Sequence, residues 1–503
     1  MEEYDFLVIG SGSGLEVANV AANRGQSVAV VEKGPLGGTC LNRGCIPSKL
    51  LLYHADVLET IERAGAFGIE ASVEDVAFTD IVRAVNDDVA DDAASIRRGL
   101  ESSSAHDLYH GEGRFVGERT LEVVTGEDEG AELRAETVLV AAGTRPRIPD
   151  VEGIEEVDYL TSTEALQLES PPEYLVVIGG GYIAAELSHF FGTFGSEVTI
   201  VGRRPHLLPE ADEEVAAEFT ARYADRFEVL TGHAATAVSE SDGEVTVEAR
   251  PFEYGAGDGD GARDGDGARD GDGARDGDGD GDGIVDDAEP VTVSGEALLV
   301  AAGRRPNTDL LDVDAAGIRT DERGFVETDE YLRASAEGVW ALGDIVGEYL
   351  LKHSANHEAR TVARNIFGDE LAPVDYTAMP FAVFGSPEVA GVGWREEELR
   401  AVDRAYATNT YRFEDTARGD AMKAEGVVKV LIDLDGEILG CHIVGPDAST
   451  LIQEVVVAMK AGSGTVRDIR ESVHVHPALP EVVQRAFSGR FTRGGDHDSH
   501  QHH

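Results

Sequence analysis

The same pattern of strand, glycine-rich turn, helix and strand occurs twice in this chain, at residues 4–32 and 174–201. In each copy an apolar, strand-like run leads into closely spaced glycines and then into a segment of helical character. Such a turn leaves backbone N–H groups at the helix N-terminus free to bind a diphosphate. The two copies therefore predict an α/β protein with two Rossmann-like dinucleotide-binding domains. The glycines concerned are Gly10, Gly12 and Gly14 in the first turn and Gly179 and Gly181 in the second.

The two copies differ where the second strand ends. In the first copy Glu32 stands there, followed by Lys33, and a carboxylate at this point accepts a hydrogen bond from a ribose hydroxyl. In the second copy Gly202 takes that place and is followed by Arg203 and Arg204. Arginines suit the 2′-phosphate of NADP, whereas NAD requires a carboxylate. Two surface arginines on a loop are the alternative, but basic residues are far outnumbered by acidic ones in this chain. The second domain is therefore predicted to bind NADPH.

The first turn departs from the usual fingerprint at one position. Leu15 stands where a third glycine is normal, although Gly14 directly precedes it. A glycine turn alone is also compatible with an ordinary tight connection between strand and helix. Its significance comes from Glu32 and from the cysteines that follow.

Cys40 and Cys45 lie five positions apart, directly after the first unit, and Lys49 follows one turn later. Thiols at this spacing can close a small disulfide ring at the start of a helix, where the helix dipole favours the thiolate. A structural pair or half of a zinc site is the alternative. Zinc normally takes four ligands, and the only other cysteine is the distant Cys441. The pair is therefore predicted to be redox-active, and no metal is expected.

The charge of the chain excludes some partners. Its 96 acidic and 42 basic residues give a net charge of −54. Nucleic acids require a basic surface, so none is expected as a partner. Strong self-repulsion calls for screening and indicates a salt-filled, halophilic cytoplasm. A cytoplasmic protein is also favoured by the few cysteines and by the lack of a basic leader or a long apolar run, and no membrane association is expected.

The segment from Gly37 to Lys49, together with the two turns, resembles the flavin-dependent pyridine nucleotide–disulfide oxidoreductases. The resemblance implies FAD on the first domain and NADPH on the second. Electrons would pass from NADPH through the flavin to Cys40–Cys45 and then to an external disulfide. It also implies that Cys45 lies nearest the flavin as a charge-transfer thiolate and that Cys40 attacks the substrate.

Further site residues follow from the same resemblance. In the family, the lysine that matches Lys49 pairs with the glutamate that matches Glu186, close to flavin N5. Such a pair could also be purely structural. His476 and Glu481 match a catalytic acid–base pair that reaches the cysteines of the other subunit, which implies a homodimer with shared active sites. The remaining cofactor-binding residues expected are Thr39, Gly113, Gly143, Tyr182, Gly303 and Asp344.

The expected domain plan is two dinucleotide domains and a C-terminal α+β dimerisation domain. Asp344 is expected at the end of a strand over 338–344, and a short strand is expected over 110–115. The plan assigns FAD binding to 1–155 and 303–372, NADPH binding to 156–302 with a disordered Gly/Asp insert at about 255–283, dimerisation to 373–488, and a disordered His-rich tail to 489–503.

Within the family, the segment 349–360 resembles reductases of small thiol disulfides, in particular those of mycothione and bis-γ-glutamylcystine. The acidic surface favours bis-γ-glutamylcystine, because γ-glutamylcysteine is a thiol of halophilic archaea. Dihydrolipoyl dehydrogenase is the alternative, but it would require a carboxylate at Gly202 to bind NAD. A mercuric reductase is less favoured, since it carries a C-terminal cysteine pair and no cysteine follows Cys441.

Overall fold

The computed structural model describes residues 1–253, 283–285 and 287–494, which form two α/β units and a C-terminal α+β region. This architecture confirms the predicted fold class. The expected insert, apart from Gly283, and the tail beyond Gly494 lie outside the described residues. Among the described helices, none combines the length and the apolar character needed to cross a membrane.

The first unit is built on a mostly parallel sheet. Its elements are β1 (Glu2–Ile9), α1 (Gly14–Asn23), β2 (Val28–Glu32), α2 (Gly38–Arg43), α3 (Cys45–Glu62), α4 (Phe78–Glu101), β3 (His106–His110), β4 (Gly113–Gly117), β5 (Thr120–Val123), β6 (Glu132–Val140) and β7 (Thr144–Pro146). The strand order is β3-β2-β1-β6-β5-β4, in which β4, β5 and β6 pair antiparallel. The central strand β1 is buried along most of its length, and its apolar run is continuous for that reason.

The second unit repeats this arrangement on a smaller scale. Its elements are α5 (Ser162–Ala165), β8 (Tyr174–Ile178), α6 (Tyr182–Thr193), β9 (Glu197–Gly202), α7 (Glu213–Ala224), β10 (Glu228–Thr231), β11 (His233–Ser241), β12 (Glu244–Pro251), β13 (Val291–Gly295), β14 (Ala297–Val300) and β15 (Arg304–Pro306). The parallel sheet has the order β10-β9-β8-β14, and β11, β12 and β13 form a separate antiparallel sheet. The strands β12 and β13, which flank the insert, pair with each other.

The chain then returns to the first sheet through α8 (Thr308–Leu311), β16 (Val339–Ala341) and α9 (Lys352–Phe367). Strand β16 pairs in parallel with β6. Two sequence expectations need correction here. Asp344 does not end the strand but lies in a 3₁₀ turn, Gly343–Ile345, that follows it. The strand expected over 110–115 begins only at Gly113, because the chain turns at Gly111 and Glu112 between β3 and β4.

The C-terminal region is a six-stranded antiparallel sheet with helices packed against it. Its elements are β17 (Pro380–Val383), β18 (Glu388–Gly393), α10 (Glu396–Ala401), β19 (Ala407–Arg412), α11 (Ala417–Met422), β20 (Val427–Ile432), β21 (Ile438–Gly445), α12 (Ala448–Ala461), α13 (Val466–Arg470), α14 (Pro480–Ser488) and β22 (Thr492–Arg493). The strand order is β17-β18-β21-β20-β19-β22. Its core is formed by β20, β21, α12 and α14.

A buried ion cluster joins this region to the second unit. The Lys429 ammonium on β20 lies 2.8 Å from Asp212 Oδ1 at the start of α7 and 2.7 Å from Glu396 Oε2 on α10. All three side chains are buried. Burial opposes the lysine charge, but the two carboxylates outweigh it and raise the pKa of Lys429. The cluster therefore links the C-terminal region to the second unit through buried, oppositely charged groups.

A Lys429→Met substitution is expected to destabilise the protein by about 3–5 kcal/mol, because it leaves Asp212 buried without an ion-pair partner and Glu396 with Arg400 alone. The measurement is the shift in the midpoint of denaturant unfolding. The matched control is Lys460→Met, which removes a half-exposed ion pair with Asp375 and should cost less than about 1 kcal/mol. Equal shifts for the two variants would contradict the prediction.

Candidate active site

One cavity of about 1400 Å³ connects the two dinucleotide units with the cysteines. Most of the residues singled out from the sequence line it, although they are distributed along some 300 positions of the chain. Gly14, His476 and Glu481 are the exceptions. The predicted residues that line the cavity are Gly10, Gly12, Glu32, Lys33, Thr39, Cys40, Cys45, Lys49, Gly113, Gly143, Gly179, Gly181, Tyr182, Glu186, Arg203, Arg204, Gly303 and Asp344.

The two cysteines form a disulfide in the wall of this cavity. Cys40 lies in the short helix α2, Cys45 is the first residue of α3, and their Cα atoms are 4.8 Å apart. The free N–H groups at the start of the long helix α3 place positive potential next to Cys45. That potential would stabilise a negative charge on Cys45 Sγ after reduction of the disulfide.

The predicted pair of Lys49 and Glu186 is formed. Lys49 Nζ lies 2.6 Å and 2.8 Å from the two carboxylate oxygens of Glu186, and Glu186 is buried. The backbone N–H of Phe384 donates to the same carboxylate at 3.1 Å, and the Phe384 ring lies 4.9 Å from the Lys49 ammonium. Phe384 belongs to the C-terminal region and was not found from the sequence, since no local motif marks it. Its two contacts hold the ion pair at the cavity wall in one orientation.

The first glycine turn has the form that a dinucleotide diphosphate requires. A Cβ atom at Gly12 would project into open space, with the nearest atom 4.0 Å away, so the turn presents bare backbone to the cavity. A Cβ at Gly14 would lie 2.9 Å from Ala141 Cβ and from Val8 Cγ1, so Gly14 permits the close packing of α1 that the missing third glycine would otherwise provide. Leu15 instead packs against the apolar core of the first unit. These residues fit FAD.

Glu32 is held at the end of β2 by the turn itself. Its carboxylate accepts hydrogen bonds from the Ser11 backbone N–H at 2.9 Å and from the Ser11 hydroxyl at 2.7 Å, and the Gly34 N–H donates to its other oxygen at 2.8 Å. Lys33 is exposed, and its ammonium lies 3.6 Å from Glu112. The carboxylate of Glu32 is thus fixed at the end of β2, where it would contact the adenosine ribose of a dinucleotide.

Asp344 belongs to a cluster whose other members the sequence did not reveal. The Thr144 hydroxyl donates to Asp344 Oδ2 at 3.1 Å and accepts a hydrogen bond from Arg304 Nε at 2.7 Å. Burial raises the pKa of Asp344, while Arg304 and Thr144 act against this rise. Thr144 and Arg304 follow Gly143 and Gly303 in two similar segments, and these pair as β7 and β15. That internal repeat was the signal available in the sequence.

The second glycine turn leads to the two predicted arginines. Arg203 and Arg204 follow β9 directly, and both are half-buried at the cavity wall. The Arg203 guanidinium lies over the ring of Phe252, 5.7 Å from its centroid, and this stacking restricts its orientation. No carboxylate stands at Gly202, the last residue of β9. The wall is therefore basic where a ribose phosphate would lie.

His476 and Glu481 form the predicted pair but lie away from the cavity. His476 Nδ1 is 2.9 Å from Glu481 Oε1, and this hydrogen bond holds the pKa of Glu481 below its ordinary value. The His476 side chain is 72% exposed, on a loop that ends at α14. Within one chain, the structure thus does not bring the histidine to the cysteines.

Comparison with known proteins agrees with this geometry. The family model "Pyridine nucleotide-disulphide oxidoreductase" matches residues 4–359, and the model of the dimerisation domain of that family matches residues 379–487. The chain is 35% identical to mycothione reductase of Mycobacterium tuberculosis, over 97% of this chain and 100% of the relative. It is 34% identical to dihydrolipoyl dehydrogenase 3 of Haloarcula marismortui, over 96% and 95% respectively.

Among solved structures, the Cu(II) complex of the HOCl-induced flavoprotein disulfide reductase RclA from Escherichia coli superimposes with a TM-score of 0.80 at 25% identity, covering 97% of this chain and 99% of that one. Members of the family use FAD and NAD(P)H, act on sulfur groups and carry a dimerisation domain. The protein belongs to the pyridine nucleotide–disulfide oxidoreductases and is a flavoprotein disulfide reductase.

Proposed function

We propose that this enzyme reduces a low-molecular-weight thiol disulfide, bis-γ-glutamylcystine, with electrons from NADPH, and that it works in a salt-rich cytoplasm. The observation that carries the proposal is that both glycine turns and the Cys40–Cys45 disulfide line the same cavity. Bound FAD supplies a two-electron carrier between nicotinamide and disulfide. The residues of the chain then bind, orient and exchange protons around it.

The dithiol reaction can be written with these residues. The Cys40 thiolate attacks one sulfur of the substrate disulfide, so that a mixed disulfide forms and the first thiol leaves. The leaving thiolate takes a proton from the partner subunit's His476, which Glu481 orients through Nδ1. The Cys45 thiolate then attacks Cys40 Sγ, which restores the disulfide and expels the second product as a thiolate, and this thiolate takes a proton from solvent. Each turnover thus oxidises one dithiol and yields two substrate thiols.

Shared sites require that His476 reach a second copy of the chain. The surface of α3 just beyond the cysteines carries an exposed apolar stripe of helical period, formed by Ile46, Leu50, Tyr53 and Val57. The loop before His476 is also apolar and exposed, with Val473 99% and Val475 75% accessible. Apolar surface of this extent, close to Cys45 and to His476, fits burial in a homodimer interface.

The test of the substrate is turnover of the purified, FAD-loaded enzyme in high salt. NADPH and NADH are each supplied with bis-γ-glutamylcystine, lipoamide or mercuric ion. Fast NADPH-dependent reduction of bis-γ-glutamylcystine alone is the expected result. The sequence similarity to dihydrolipoyl dehydrogenases makes that activity the second candidate. Preference for NADH with lipoamide would overturn both the substrate and the coenzyme proposed here.

The coenzyme choice can be tested separately. In the double variant Arg203→Ser, Arg204→Ser, the KM for NADPH is expected to rise by about 10- to 100-fold, because charge-assisted hydrogen bonds to the 2′-phosphate are lost. The KM for NADH should stay nearly unchanged, since NADH lacks that phosphate. Arg319→Ser, at a surface ion pair with Glu327, is the matched control. Equal changes for the two coenzymes would contradict the assignment.

A further inference from the structure

The first residue of α9, Lys352, is a cation in the cavity wall that the chemistry above does not use. Its ammonium donates to the Ser13 hydroxyl at 2.8 Å, and this is its only hydrogen bond to the described residues. Lys352 is half-buried and lines the cavity beside the first glycine turn. An ammonium has three N–H donors, so this contact leaves two of them for another acceptor.

The acidic residues near Lys352 do not neutralise it by contact. Glu16 and Asp344 act on the ammonium through space, but no carboxylate of the described residues lies within 4 Å of it. Burial lowers the pKa of Lys352, while these two carboxylates raise it. Lys352 is thus a partly desolvated cation whose charge no contacting carboxylate neutralises. Its environment suits an anion that enters the cavity.

Ser13 shows where that anion would lie. Ser13 occupies the N-cap position of α1, yet its hydroxyl does not cap the helix. Instead it donates to Asn356 Oδ1 at 2.8 Å and accepts from Lys352. Of the turn, the backbone N–H groups of Gly12, Ser13 and Gly14 make no hydrogen bond to the described residues, which leaves them for phosphate oxygens, and the lysine lies beside them.

We propose that Lys352 binds the diphosphate of FAD from the α9 side and neutralises part of its charge. The glycine turn would contribute backbone N–H groups to the diphosphate, and Lys352 would add a charged donor beside them. Ser13 and Asn356 position the ammonium. The inference rests on FAD as the cofactor of the family and is independent of the disulfide substrate, because its test requires no turnover.

The test measures FAD release from the full-length holoenzyme by flavin fluorescence, at several salt concentrations. Lys352→Gln is expected to weaken FAD binding about tenfold or more and to reduce its dependence on salt, since a charge-assisted hydrogen bond is lost. Lys352→Arg should retain most of the affinity. Arg360→Gln, which removes the same charge from an exposed position of α9, should have no comparable effect.

Two further measurements separate other roles of this lysine. The first alternative is that Lys352 only links α9 to α1 through its hydrogen bond to Ser13. In that case Ser13→Ala, which removes the same hydrogen bond, should weaken FAD binding as much as Lys352→Gln does. If the ammonium acts on the flavin ring, the reduction potential of the flavin should fall in Lys352→Gln. Either result, or unchanged FAD affinity in Lys352→Gln, would overturn the proposal. The result we expect is a tenfold loss in Lys352→Gln, at constant potential, with a clearly smaller loss in Ser13→Ala.

Discussion

The Cys40→Ser enzyme is expected to lose NADPH-dependent disulfide reduction by at least about a thousandfold, since the attacking nucleophile is removed. Reduction of the flavin by NADPH should continue, because that half-reaction requires the two glycine turns and not Cys40. Cys45 remains at the start of α3, where the helix dipole favours its thiolate. The variant should therefore show the long-wavelength absorption of a thiolate next to oxidised flavin, and Cys45→Ser should not.

Cys441→Ala is the matched control for this prediction. Cys441 is the one thiol outside the pair, and it is fully buried in the C-terminal sheet, where burial raises its pKa. Its loss should leave turnover nearly intact. Turnover by Cys40→Ser within tenfold of the unaltered enzyme would show that the disulfide does not carry the reaction. A charge-transfer band in Cys45→Ser in place of Cys40→Ser would reverse the roles of the two thiols.

The second large effect is expected at His476. Removal of a general acid typically slows a reaction by about 10²- to 10⁴-fold, and we expect a loss in this range for His476→Gln. The substrate thiolate would then leave without a proton donor. Reduction of the flavin and of the disulfide by NADPH should not change. Glu481→Gln should have a smaller effect, because it weakens only the orientation of the ring through Nδ1.

Mixed dimers test whether the histidine acts across the interface. One subunit carries Cys40→Ser and the other His476→Gln, each inactive as a homodimer. With shared sites, one of the two sites in the mixed dimer combines an intact cysteine pair with an intact histidine, and activity returns. With separate sites, every site has one lesion and the mixture stays inactive. Recovery on mixing thus confirms the composite site, whereas its absence would show that His476 acts only on the cysteines of its own subunit.

Local patterns allowed much of the site to be predicted from the sequence. The glycine turns, Glu32 and the cysteine pair depend on residues close together in the chain, and each requires particular residue types at fixed spacing. The pair of His476 and Glu481 is also local, since only four residues separate them. Lys49 and Glu186 are 137 positions apart, and only the resemblance to a known family predicted their contact.

Other contacts were decided by the tertiary structure. Thr144 meets Asp344 across 200 positions, Phe384 reaches Glu186 across 198, and Lys352 meets Ser13 across 339. Such contacts depend on how β16, α9 and the C-terminal region return to the first sheet, and no local spacing encodes that return. The position of Asp344 in a turn after β16 has the same origin.

The sequence by itself determined the two dinucleotide units and the disulfide between them, because strand, turn and helix propensities act over a few residues. Only the tertiary structure placed these elements around one cavity and added the cation and hydroxyl groups that complete its wall. The reason is physical: backbone conformation is governed by near neighbours, whereas the lining of a cavity is set by packing between segments distant in the chain.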